Sequence, residues 1–125
     1  MSVRTEVEVR EGGIAVVHCS GRITLGVGSS ALRSAIQELL ASQRSKIVID
    51  FAEVPYIDSS GFGELVRGFG EATKDGGGLV VARPTQRVNE VMRHTRLYTV
   101  FQAFESVEDA VQHLRGNRTG SLPTG

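Results

Sequence analysis

Asp58-Ser59-Ser60-Gly61 places a carboxylate and two hydroxyls directly ahead of Phe62, Leu65, Val66, Phe69 and Ala72, apolar residues at helical spacing. A helix start presents unpaired backbone N–H groups and the positive end of the helix dipole, so an anion such as a phosphate is stabilised there. Asp58 or Ser59 alone suffices as the N-cap. The remaining polar groups are spare chemistry on an exposed edge. The same helix carries Gly61, Gly63, Gly68 and Gly70, and each interior glycine costs a helix about 1 kcal/mol relative to alanine. Gly63, Arg67 and Gly70 share the face opposite the apolar one, where the missing side chains let another protein's backbone lie close. Taken alone, the four residues also read as an ordinary helix cap.

Other chemistries lack their parts. A serine hydrolase needs a base within reach and an oxyanion hole, yet His18 lies in a strand, His94 and His113 lie near helix ends, and no G-x-S-x-G elbow surrounds Ser59 or Ser60. Three scattered histidines and one cysteine show no metal-ligand spacing, and no G-x-x-x-x-G-K-[ST] phosphate loop is present. Catalytic, metal and cofactor sites are therefore not expected. Cys19 sits in an apolar run and reads as a small buried hydrophobe.

The elements that position the motif follow from periodicity. Val3, Thr5, Val7 and Val9 alternate with charged residues, as in a half-buried strand. Gly12-Gly13 offers a turn to a second strand, residues 14–20. Leu32, Ile36, Leu39 and Leu40 define a first helix, with Ser29 or Ser30 as its cap. The apolar run 47–49 suits a central strand covered on both faces. After the glycine-rich helix, Gly76-Gly77-Gly78 is a break before strand 79–82. Pro84 and Thr85 then open a third helix with Val88, Val91 and Met92 inward. A weak strand spans 100–104, with Phe101 and Phe104 either core or contact. Ser106 caps a last helix, paired with Asp109. The order ββαβαβαβα predicts one α/β domain, a mixed central sheet with packed helices, over residues 1–115. Residues 116–125 read as a disordered polar tail.

The chain has 125 residues, room for one core. Lys plus Arg and Asp plus Glu are 14 each, so the basic excess of a nucleic-acid binder is missing. There is no apolar segment of signal-peptide or membrane-span character, and a cytoplasmic protein is expected.

Segment 47–65, IVIDFAEVPYIDSSGFGEL, resembles the signature of the anti-sigma factor antagonists of the STAS domain family (sulfate transporter and anti-sigma factor antagonist). The likeness runs from about Val7 to Leu114. It includes Gly21-Arg22-Ile23-Thr24-Leu25, the glycine break at 76–78 and the helix of residues 88–94. The resemblance implies a protein that binds an anti-sigma factor, often a serine kinase, and so releases a sigma factor. It implies phosphorylation of the first serine after the aspartate, Ser59, reversed by a PP2C-type phosphatase. Asp58, Ser59, Ser60, Gly61, Gly63 and Arg67 are then the partner-binding residues of a monomer or weak dimer. Thr24 stands where many members carry an acidic residue. The alternative on the same fold is a non-phosphorylated scaffold or a small-ligand-sensing module in a signalling complex.

Overall fold

A computed structural model describes residues 3–120. Its five-stranded sheet has the order β1-β2-β3-β4-β5. Strand β1 (Arg4–Arg10) pairs antiparallel with β2 (Ile14–Ser20). The other neighbours, β2 with β3 (Lys46–Glu53), β3 with β4 (Gly78–Ala82) and β4 with β5 (Ala103–Phe104), are parallel. Helix α1 (Val27–Ala41) crosses from β2 to β3, α2 (Ser59–Lys74) from β3 to β4, and α3 (Gln86–His94) from β4 towards β5. Helix α4 (Val107–Gly120) closes the chain. The mixed α/β domain expected from the ββαβαβαβα pattern is the observed one.

The alternation along each strand explains why the central strands read as unbroken apolar runs. Ala15, Val17, Ile47, Ile49, Leu79 and Val81 face a core shared with Leu32 and Ile36 of α1, Leu65 of α2, and Val88 and Met92 of α3. Their neighbours Ile14, Val16, Val48, Val80 and Ala82 face the opposite way, against Ala110, Val111 and Leu114 of α4. Both faces of β2, β3 and β4 are covered, so both sets must be apolar.

Four expectations change. Val7 and Val9 are 48% and 50% exposed. Strand β1 is an edge strand whose apolar side is only partly covered; besides its ladder with β2 it is held by its polar side, where Arg10 bonds Glu108 of α4 and Glu8 bonds His18 of β2. Helix α1 begins earlier than Ser29 or Ser30, with Gly26 at the cap position and no side-chain cap. Ser29 lies inside the helix, buried, with its hydroxyl on the Gly26 carbonyl. The segment read as strand 100–104 is a 3₁₀ turn (Leu97–Thr99) followed by a two-residue strand. Phe101 belongs to the core and meets Phe69 of α2 edge-on, with ring centroids 5.9 Å apart. Phe104 packs on the α4 side, against His113. Helix α4 continues to Gly120, past the expected start of the tail at residue 116. Residues 121–125 lie outside the described ones.

The expected cap at Ser106 is formed, its hydroxyl accepting the Asp109 N–H, and Thr85, read only as part of the opening of the third helix, is the cap of α3, its hydroxyl accepting the Val88 N–H. Within the Gly76–Gly78 break, Gly77 is obligatory for a steric reason. A Cβ there would collide with the Ser45 carbonyl oxygen. Among the described residues no helix is long and apolar enough to cross a membrane.

Candidate functional site

Strands β2, β3 and β4 are parallel, so the connections that follow them emerge at one end of the sheet, the edge where open α/β folds place their sites. Two of these connections are stitched together. Ile23 and Ile57 form a parallel bridge, with the Ile23 N–H on the Tyr56 carbonyl at 2.9 Å and the Asp58 N–H on the Ile23 carbonyl at 3.0 Å. The motif therefore leaves a rigid base.

Asp58 is the N-cap of α2. Its Oδ1 accepts the N–H groups of Ser60 and Gly61, at 2.9 and 3.2 Å, and the Ser60 hydroxyl. Its Oδ2 accepts the N–H of Leu25, at 3.0 Å, from the connection ahead of α1. Burial by itself would raise the Asp58 pKa. The bonds from Ser60, Leu25 and Gly61 outweigh it and hold the carboxyl below the usual carboxylate range.

The two serines are thus unequal. Ser60 is tied to Asp58. Ser59 is exposed, and its hydroxyl makes no hydrogen bond among the described residues. Gly61 is required by packing, because a Cβ would lie 2.6 Å from Cγ1 of Ile57 and 2.9 Å from Cγ2 of Ile23. Gly63 and Gly70 would place a Cβ in open space, and Arg67 beside them is exposed. The structure brings Asp58, Ser59, Ser60 and Gly61 together at the start of α2, with Gly63 and Arg67 along its outer face. Leu25 and Val27 add exposed apolar surface beside the motif, at 80% and 75% exposure.

None of the histidines is bonded to Ser59. His18 bonds Asp50 and Glu8, His94 bonds the Glu90 carbonyl, and His113 packs on Phe104. Burial pushes the Cys19 thiol up to about 12, with the Asp50 charge adding to it, so the sulfur stays a neutral hydrophobe. Among the described residues no group of three or more His, Cys, Asp or Glu side chains is gathered to hold a metal.

Sequence reasoning missed two groupings. Asp50, 3% exposed on β3, accepts the Arg83 guanidinium through both oxygens at 3.1 and 2.6 Å, the Ala52 N–H, and Nδ1 of His18 at 2.7 Å. His18 reaches on to Glu8 at 2.8 Å. The four side chains run across β1, β2, β3 and the end of β4. Their signal was a lone acid in the apolar run of β3. The second grouping is Arg22 and Arg87, whose guanidiniums lie 4.8 and 5.6 Å from the centre of the Tyr56 ring.

Residues 5–110 match the STAS domain family. The chain belongs to that family. Within it the chain sits among the anti-sigma factor antagonists. It is 33% identical over 111 residues to the anti-sigma-F factor antagonist RsfB of Mycobacterium tuberculosis, covering 85% of each chain. The crystal structure of an anti-sigma factor antagonist from Mycobacterium paratuberculosis superposes with a TM-score of 0.82 at 28% identity, over 91% of this chain and 95% of that one. SpoIIAA of Bacillus in its phosphorylated form shares the fold, with a TM-score of 0.68 at 17% identity over 88% of this chain and 98% of that one.

Proposed function

We propose that this chain binds an anti-sigma factor through the start of α2 and so frees a sigma factor, and that phosphorylation of Ser59 switches the binding off. The observation that carries the switch is the inequality of the two serines. Ser59 offers an exposed, uncommitted hydroxyl, whereas Ser60 is held in the cap by Asp58. The partner's contacts are Asp58, Ser59, Ser60 and Gly61, with Gly63 and Arg67 along the open face of the helix. The relatives named as anti-sigma factor antagonists support the same partner class.

Phosphorylation adds about −1.5 to −2 charges at the rim of this surface. The helix N-terminus tolerates the phosphate, so the fold persists while an acidic partner surface is repelled. The switch then acts on docking with little change of structure. A serine kinase, in the simplest case the anti-sigma factor itself, would add the phosphate in the cytoplasm, and a PP2C-type phosphatase would remove it.

The test is intact mass and site mapping on the protein taken from its own cells, growing and starved. A phosphate that comes and goes on Ser59 is the expected result. Unmodified protein in both states would leave the phosphorylation switch without support and favour a scaffold of the same fold.

A further inference from the structure

The connections that follow β2 and β3, and the first turn of α3 after β4, build a second feature at the end of the sheet that carries Ser59. Arg22, Pro55, Tyr56 and Arg87 line a hollow of about 430 Å³. Both guanidiniums are held against the one Tyr56 ring, at 4.8 and 5.6 Å from its centre. Among the described residues neither has a carboxylate within ion-pair distance. The contrast with Arg10 and Arg83, each paired to an acid, is direct. Two unneutralised cations are thus oriented by an aromatic ring in a chain whose formal net charge is zero.

The hollow is fixed relative to Ser59. Arg22 precedes Ile23, whose N–H and carbonyl are bonded to Tyr56 and Asp58. Tyr56 lies three residues before Ser59 in a segment pinned at both ends. Asp58, two residues after Tyr56, directs both carboxylate oxygens to the cap and to Leu25, and among the described residues neither it nor Glu90, three residues after Arg87, forms an ion pair with either arginine.

We propose that Arg22 and Arg87, steadied by Tyr56, form the receptor for a carboxylate side chain of the protein that docks at Ser59. Planar guanidiniums suit a carboxylate because they offer paired N–H donors in a fork of matching geometry. The Tyr56 ring already carries both arginines. This rests on the docking at Ser59 proposed above and adds the reason a phosphate there is effective. An acidic partner group entering beside Ser59 meets two cations when the serine is free, and a phosphate charge when it is modified.

The experiment titrates an anti-sigma factor from the same genome into wild-type protein, Arg22→Gln/Arg87→Gln, and Arg33→Gln on the exposed side of α1, at low and raised salt, with and without nucleotide. The double variant is expected to bind about ten-fold more weakly at low salt and to lose most of its salt dependence, with Arg33→Gln unchanged. Arg22→Glu/Arg87→Glu should bind worse still, and be rescued by a lysine in place of one partner carboxylate. Wild-type affinity and salt dependence in the double variant, with Ser59→Asp still weakened, would overturn the receptor and leave the docking at Ser59 standing. A loss seen only with nucleotide present would overturn the carboxylate in favour of a phosphate. If the wild-type protein binds no anti-sigma factor, the docking itself fails and the receptor falls with it.

Discussion

Oδ2 of Asp58 accepts the backbone N–H of Leu25, 33 residues earlier, at 3.0 Å, while Oδ1 of the same carboxylate caps α2. One side chain therefore fixes the start of the site helix and the loop that enters α1. Both halves of the exposed surface around Ser59 depend on it.

Asp58→Ala removes the cap and frees the Leu25 loop. Loss of a cap of this kind costs about 0.5–2 kcal/mol, and the second anchor places this one at the upper end. Asp58→Asn keeps a cap acceptor and should lose less. Urea denaturation measures the difference, and amide exchange should quicken at Leu25, Ser60 and Gly61 in the alanine variant.

The glycines of α2 should separate into two kinds. Gly61→Ala drives a methyl against Ile57 and Ile23, and overpacking of this sort costs about 1–3 kcal/mol. Gly63→Ala meets nothing within 4 Å and should stabilise the helix by about 0.5–1 kcal/mol. Gly63→Trp should fold normally yet lose affinity for the partner. Thermal melts alongside binding titrations check all three, and full binding by Gly63→Trp would remove that face from the interface.

Stability should depend on pH through Glu8, His18, Asp50 and Arg83, the four side chains linked across the sheet. Burial by itself would lower the His18 pKa, but its bonds to Glu8 and Asp50 outweigh this and raise it. Burial would raise the Asp50 pKa, but Arg83, His18 and the Ala52 N–H hold it down. The His18 contribution is complete below the unfolded value of about 6.5 and is lost as pH rises through the higher folded value. The Asp50 contribution is present above about 3.9 and is lost as pH falls through its lower folded value. The urea midpoint is therefore expected to be highest between about pH 4 and 6.5 and to decline on the alkaline side. His18→Gln should flatten that alkaline decline. An unchanged slope in His18→Gln would show that the decline has another source.

Much of this was legible in the residues because periodicity reports burial. The unbroken runs around Val48 and Val80 announced strands covered on both faces, and Phe62, Leu65 and Ala72 announced a helix packed on one side. The cap of α2 was legible to within one residue, Asp58 or Ser59, since capping is local. What stayed hidden depends on contacts between distant segments. Ser29 or Ser30 looked like the cap of α1, but that loop is set by a bridge to Ile57 and by the Asp58 carboxylate, neither visible near Ser29. Val7 and Val9 alternate correctly for a strand, yet alternation does not say how far a helix extends over a sheet edge. Asp50, His18 and Arg83 meet only once β2, β3 and β4 are in register. Arg22 and Arg87 converge only because the segments following β2 and β4 rise at one end of the sheet.

The most direct measurement of the central claim is the affinity of the anti-sigma factor for wild-type, Ser59→Ala, Ser59→Asp and Ser60→Ala protein by calorimetric titration. Ser59→Ala is expected to bind as wild type, because its hydroxyl holds nothing in place. Ser59→Asp is expected to bind about ten-fold or more weakly through the added charge. Ser60→Ala should lose some stability through the cap yet still accept a phosphate on Ser59. Equal binding by Ser59→Ala and Ser59→Asp would contradict an electrostatic switch at Ser59.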